Sequence, residues 1–205
     1  AFNSTIQTIL AERVDKKLFE TVMQQQGCPR QFFNELVIFS STTLANVYTT
    51  NRLKSISATP VAYDAFDLGD DDTFPLIRKC PFVERLILKV GVPLIIIETI
   101  DAALGFEKGK ICQVVGFVNT KQYTFRPTTP SGCPSPHDIA QAEHEFWNRY
   151  PILPIVKTCS GEQLVLQAHV WKIFAGEKVI SARVQLPVRL AFGIAVQDLF
   201  GFTFD

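Results

Sequence analysis

Residues 85–117 read RLILKVGVPLIIIETIDAALGFEKGKICQVVGF. The apolar runs here are short and broken by turn chemistry. GVP and EKGK punctuate them, and no run reaches helix length with a period near 3.6. Short strands joined by tight turns are the reading that fits. The same texture continues downstream in LPIVKTC, QLVLQAHVWKIF and KVISARVQLPV, the last two divided by FAGEK. Several short strands within about a hundred residues predict a small β-barrel. The longest apolar run, VGVPLIIIETI, is about eleven residues, too short to span a bilayer.

Upstream the texture differs. In residues 1–27 apolar side chains fall at positions 2, 6, 9, 10, 14, 18, 19, 22 and 23. Spacings of three and four predict two short helices broken near Val14, with Gly27-Cys28-Pro29 as the stop. ELVIFSS then has the look of a buried parallel strand, and TTLANVYTTNRLKSI a helix opening at Ser41 to Thr43. A strand followed directly by a polar-capped helix is half of a βαβ unit. Between the strands, residues 123–151 carry five prolines, four of them ahead of the amphipathic stretch HDIAQAEHEFWNRY. This predicts an inserted excursion with one helix.

Composition narrows the function classes. The chain has 205 residues, 47% of them hydrophobic, with twenty basic and twenty acidic residues. That is enough apolar content for a core, and disorder by composition is excluded. A balanced charge gives no bulk attraction to nucleic acid, so such a contact needs a local patch. Five cysteines at 28, 80, 112, 133 and 159 are widely spaced, odd in number and without a CxxC pair. They predict reduced thiols in an intracellular protein. The chain starts at Ala1 and its one methionine is Met23, so a processed chain or part of a longer one is expected.

Motifs for chemistry are few. No GxxxxGK[ST] loop occurs. GFEKGKI has the wrong spacing, and Ile111 stands where a magnesium-binding hydroxyl is needed, so it reads as a turn. Cys133, His137 and His144 fit no common zinc spacing. Asp138, Glu143 and Glu145 read as a solvated helix face rather than an acid–base pair. His169 lies in an alternating strand and reads as packed or surface-exposed. No catalytic and no metal-binding residue is assigned. Trp171, in the same strand, is expected in the barrel core.

In family order, several stretches resemble the Pif-type (petite integration frequency) superfamily-one DNA helicases. Residues 85–117 match their signature at Leu88, Lys89, Gly91, Gly105, Gly109, Gly116 and Phe117. LPIVKTCSGEQLVLQAHVWKI is similar to a later strand pair of the family. RVQLPVRLAFGIAVQDLFGFTFD matches at Arg183, Gln185, Pro187, Leu190, Ala191, Gly201, Thr203 and Asp205. Residues 35–67 are more weakly similar to a Thr-Asn helix segment of those helicases, and only the 122–151 excursion lies outside the likeness.

The resemblance implies an α/β fold: the second RecA-like domain of a P-loop helicase, with an SH3-like small β-barrel inserted. The expected divisions are 1–85 for the first part of the RecA-like domain, 86–186 for the barrel with its 122–151 excursion, and 187–205 for the return strand and helix. It implies nucleic acid, DNA or RNA, as partner through Thr42, Thr43, Asn51, Lys89, Gln197, Gly201 and Thr203. ATP and magnesium are implied only where a first RecA-like domain is present; this chain itself has no means to hold them.

One departure is pointed. Where the family carries His-Lys-Ser-Gln-Gly, a loop that contacts DNA backbone and couples it to the nucleotide, residues 197–201 read Gln-Asp-Leu-Phe-Gly. Asp198 replaces a cation near phosphate, and the apolar Leu199 and Phe200 cannot donate to one. The reading favoured is a degenerate helicase fold serving as a structural or nucleic-acid-binding component of a larger assembly. Phe146, Trp147, Tyr150 and Phe200 are its expected protein-partner anchors, with no membrane contact. The alternatives are the C-terminal part of an active ATP-dependent 5′-to-3′ DNA helicase in repair, recombination or genome maintenance, and an unrelated interaction module. Mitochondrion and nucleus both stay open.

Overall fold

The structure, a computed structural model, describes residues 36–69, 74–77, 80–119 and 136–199. The expected N-terminal helices, most of the proline-rich excursion, and Phe200, Gly201 and Thr203 lie outside these residues.

The chain begins with β1 (Val37–Phe39) and α1 (Thr42–Ser55). Then come β2 (Val61–Asp64), β3 (Phe66–Leu68) and the short α2 (Phe74–Ile77). The strands read from the opening stretch follow as β4 (Arg85–Leu88), β5 (Pro93–Ile96) and β6 (Ile111–Asn119). Helix α3 (Pro136–Arg149) precedes β7 (Ile152–Thr158), β8 (Gln163–Val165), β9 (His169–Ala175) and β10 (Lys178–Gln185). The described chain ends with β11 (Val188–Leu190), β12 (Gly193–Ala195) and a 3-10 turn, Val196–Leu199.

Two architectures are joined. β1 and β12 pair in parallel, Ile38 opposite Ile194, and α1 lies against them. This is the parallel half-unit that ELVIFSS and the helix after it predicted. The rest is antiparallel: a five-stranded sheet in the order β11-β5-β6-β7-β8, a three-stranded sheet β3-β10-β9, and the pair β2-β4. GFEKGKI is the expected turn, with Gly109 at φ 88 and its N–H donating to the Ile96 carbonyl. The left-handed backbone there suits glycine.

The expected barrel does not close among the described residues. Its strands hydrogen-bond as separate sheets, because β8 and β9 are not paired with each other. Nor does hydrogen bonding stop at the expected divisions. β2 pairs with β4, β3 with β10 and β11 with β5, so the sheets run across positions 85 and 186.

The sheets share one core of 21 buried residues, among them Tyr63, Leu88, Leu94, Phe106, Val114, Leu153 and Val184. Burying such side chains is worth about 1.5–3 kcal/mol each in transfer free energy. Helix α3 belongs to this core. Ile139, Ala142 and Phe146 are buried on one of its faces, and the Phe146 ring lies 6.0 Å from Phe66 and 4.8 Å from Tyr150. The part of the excursion that the structure describes is therefore packed, not free. Of its acidic side chains Asp138 and Glu145 are exposed, as read, whereas Glu143 is half-buried and burial raises its carboxyl pKa.

Trp171 corrects its own expectation. The core-facing residue of β9 is Val170, 7% exposed, so by strand alternation Trp171 points to the other face. There it is half-buried, 5.8 Å from the Phe82 ring, with His169 edge-on to the same ring.

Candidate nucleic-acid and partner surface

The positions that carry the resemblance do structural work. Arg183 is 6% exposed at its side chain and is bidentate to Asp67, Nε to Oδ1 at 2.6 Å; its Nη1 donates to the Phe82 carbonyl. Gln185 is fully buried, and its Nε2 donates to the carbonyls of Tyr63 and Val83 at 3.1 and 3.3 Å. An unpaired buried polar group costs free energy, so such residues persist where their partners are fixed. In this chain Arg183 and Gln185 tie β10 to β2, β3 and the 80–84 segment.

The candidate surface is built on α1. Ser41 takes the extended N-cap conformation, and the helix buries Ala45 while Tyr48 meets Phe39 at 5.3 Å between ring centroids. Gly193 on β12 makes this approach possible. A Cβ there would lie 2.9 Å from the Phe39 ring and 3.2 Å from the Ala45 carbonyl oxygen. The Thr49 hydroxyl donates to the Gly193 carbonyl at 3.2 Å.

This packing brings two sequence candidates together. Gln197 Nε2 donates to Thr42 Oγ1 at 2.6 Å, at the first turn of α1. Thr43 and Asn51 are exposed on the same helix. Nine residues separate Thr42 from Asn51, about 14 Å along an α-helix. Lys89 lies at the other end of α1. Its ammonium donates to the carbonyls of Leu53 and Ile56 at 2.9 and 2.6 Å. A cation on the last carbonyls of a helix satisfies acceptors that the helix leaves open, so Lys89 serves α1 rather than facing outward.

Charge on this surface is sparse. The exposed side chains of α1 are Thr43, Leu44, Asn46, Val47, Thr50, Asn51, Lys54 and Ser55, and only one is a cation. Such a face can hydrogen-bond a phosphate or a base, but it has little counter-ion release to drive binding. Asp198, on the turn beside Gln197, does not stand alone. Arg189 Nη2 meets its Oδ2 at 3.3 Å. Arg189 is the residue that sequence reasoning missed. Its signal was the one cation in LPVRLAF, eight residues before Gln197.

The expected protein anchors also divide. Phe146 is fully buried inside this chain and cannot reach a partner. Tyr150 is half-buried, and its hydroxyl accepts from the Asp64 backbone N–H at 2.7 Å. Trp147 is half-buried beside Phe146, 5.9 Å between ring centroids.

Burial pushes the Cys112 thiol up to about 12 and Cys80, chiefly by the same cause, to about 11. These are neutral packed thiols, not activated nucleophiles. Burial lowers His169 from its usual value. Among the described residues no group of three or more His, Cys, Asp or Glu is placed to hold a metal. No helix among them is long and apolar enough to cross a membrane.

A parallel pair of strands with a helix against it, joined to antiparallel sheets, is a mixed α/β fold. In sequence and in fold this chain is similar to Pif1-type helicases. It is 22% identical over 197 residues to the ATP-dependent DNA helicase Pif1 of Psychrobacter sp. (strain PRwf-1), a match covering 84% of this chain and 29% of that protein. It is 23% identical over 154 residues to the human ATP-dependent DNA helicase PIF1, covering 75% of this chain and 20% of that one. The Pif1 helicase from Candida albicans superposes with a TM-score of 0.68 at 17% identity, over 100% of this chain and 46% of that structure. The chain thus spans less than a third of the curated relatives it matches. No protein-family profile matches it.

Proposed function

We propose that this chain is part of a divergent Pif1-type helicase-like protein that no longer works as a motor and serves instead as a structural or nucleic-acid-binding component of a larger assembly. One observation carries the reading: the turn at 197–198, where the family presents a cation to DNA, spends both its polar side chains internally, on Thr42 and Arg189. A loop that couples phosphate contact to nucleotide state needs free donors there. This turn offers an ion-paired carboxylate. In the same reading, β1, α1 and β12 stand for the second RecA-like domain and the antiparallel strands for its inserted SH3-like barrel.

Nucleic acid is the partner favoured, since the relatives are named DNA helicases and α1 exposes Thr43 and Asn51. Contact through so few charges would be weak and close to sequence-blind. ATP and magnesium enter only through a phosphate loop, and none occurs in this sequence. A second reading, the C-terminal part of an active 5′-to-3′ DNA helicase, draws on likeness to ATP-dependent enzymes across 84% of the chain.

The test is strand separation of a 5′-tailed duplex by the complete protein with ATP and magnesium, run beside retention of single-stranded DNA. The expected result is retention without separation. Separation overturns the proposal in favour of the motor. Loss of both activities overturns the nucleic-acid role and leaves the structural one.

A further inference from the structure

The chain passes between the parallel part (β1, α1, β12) and the antiparallel sheets at two places, residues 56–60 after α1 and Ala191–Phe192 before β12. Apolar contact joins them in two places: Leu36 and Ile194 meet Ile95 and Ala191, with Ile111 at the margin, and Tyr48 and Leu53 of α1 pack half-buried on the main cluster. Apolar contact is non-directional, so by itself it fixes an angle poorly.

Directional contacts surround it. At the C-terminal end of α1, Lys89 reaches from the β4–β5 turn and places its ammonium on the carbonyls of Leu53 and Ile56. That turn is tight, with Gly91 at φ 90 and Val92 N–H donating to the Lys89 carbonyl. The lysine is therefore held at its base as well as its tip. Next to it the Arg52 guanidinium lies 5.9 Å over the Phe192 ring. At the N-terminal end, Gln197 ties the 3-10 turn to Thr42, and Asp198 ties the same turn to Arg189 on β11 of the five-stranded sheet.

We propose that Lys89, Gln197 and the Arg189–Asp198 pair form a clasp that grips α1 at both ends and sets the orientation of the parallel part on the antiparallel sheets. Three residues that the sequence placed toward nucleic acid, Thr42, Lys89 and Gln197, thereby become the joint between two parts of one chain. Lys89 is the stronger grip, being part-buried and charge-assisted at two acceptors. At the other end the Gln197–Thr42 bond is exposed and the Arg189–Asp198 pair is a single part-buried contact, so that end lets go first. The clasp predicts a hinge: on release, α1 and β12 loosen together while the sheets stay closed. It does not depend on whether the protein binds nucleic acid or turns over ATP.

The test is hydrogen–deuterium exchange on the complete protein, without nucleic acid or nucleotide, for Lys89→Met and for the double variant Arg189→Gln with Gln197→Ala. Lys89→Met keeps the apolar stem and removes the ammonium. Expected is exchange about tenfold faster across 45–56, with β6 and β7 unchanged, the size that follows from losing a charge-assisted bond. The double variant should speed exchange about two- to threefold, in the first turn of α1 and in β12. Unchanged exchange in α1 overturns the clasp. An equal rise in β6 and β7 does so too, since Lys89 would then support the whole fold. A Lys89→Met variant that loses affinity for single-stranded DNA while α1 exchanges normally returns Lys89 to the nucleic-acid surface.

Discussion

Phe146 holds one part of this molecule by filling space, and Gly193 holds the other by leaving it empty. Around Phe146 the antiparallel sheets and α3 close on a continuous apolar cluster of 21 buried residues. Around Gly193 a helix comes within reach of a strand because no side chain intervenes, and the surroundings are aromatic edges and a backbone carbonyl. The first arrangement tolerates polar change at its rim and fails on loss of volume. The second fails on gain of volume and depends on polar ties for its aim. One chain thus contains a part that is stable in itself and a part that is positioned by its neighbours.

The largest effect should come from emptying the first. Phe146 is fully buried among Phe66, Trp147 and Tyr150. Phe146→Ala should cost about 3–5 kcal/mol, the range for a large aromatic removed from a core. Urea unfolding of the protein measures it. A loss under about 1 kcal/mol would mean that α3 is an appendage, as its proline-rich approach suggested, and that the two parts of the molecule do not differ in this way.

That case also marks where the sequence was legible. The apolar runs of β4 to β7 and of β9 to β11 were readable because alternation and turn glycines are local signals. HDIAQAEHEFWNRY was readable as a helix for the same reason. What covered its apolar face was not, because that takes β10 and β3 side by side, and β3 was not recognised as a strand. FDL is three residues long and offers no alternation to count. Trp171 failed by one position: both faces of β9 carry large side chains, so pattern alone could not say which face is core. The partners of the polar candidates were not legible for a different reason. Lys89 and Gln197 look free in a sequence, and only the fold brings the open carbonyls of α1 to one and Thr42 to the other. Arg183 and Gln185 matched a family motif, but nothing local announced that Asp67 and the Tyr63 carbonyl were their partners.

A smaller effect should follow from filling the second part. Gly193→Ala places a methyl 2.9 Å from Phe39 and 3.0 Å from Tyr48. Both rings can shift, but the Ala45 carbonyl, 3.2 Å away, is helix backbone and moves only with α1. The expected cost is about 1–3 kcal/mol, typical of overpacking. It should be read as faster amide exchange in α1 with little change in β6. A substitution without effect would show that α1 stands further from β12 than described, and the distinction between a filled and an emptied contact would lose its second term.

The smallest effect tests the first part through pH. Cys112 is buried on β6, and desolvation of the thiolate pushes its thiol up to about 12 from an ordinary value near 9. The folded state therefore keeps its proton where the unfolded chain has begun to lose it. Stability from this group is complete below pH 9 and is lost as pH rises from there toward 12. By pH 10 the loss should be about 1 kcal/mol, since the unfolded thiol is then mostly ionised and the folded one is not. Other residues titrate in this range, so the useful quantity is a difference. Cys112→Ala is less stable than the parent at pH 7 because it leaves a small cavity, but it has no thiolate to release. Urea unfolding at both pH values should find the gap between parent and variant narrower at pH 10 by about 1 kcal/mol. A constant gap would mean that water reaches Cys112 in the folded state. The apolar cluster would then be open at β6, and the two parts of the molecule would differ less than their residues say.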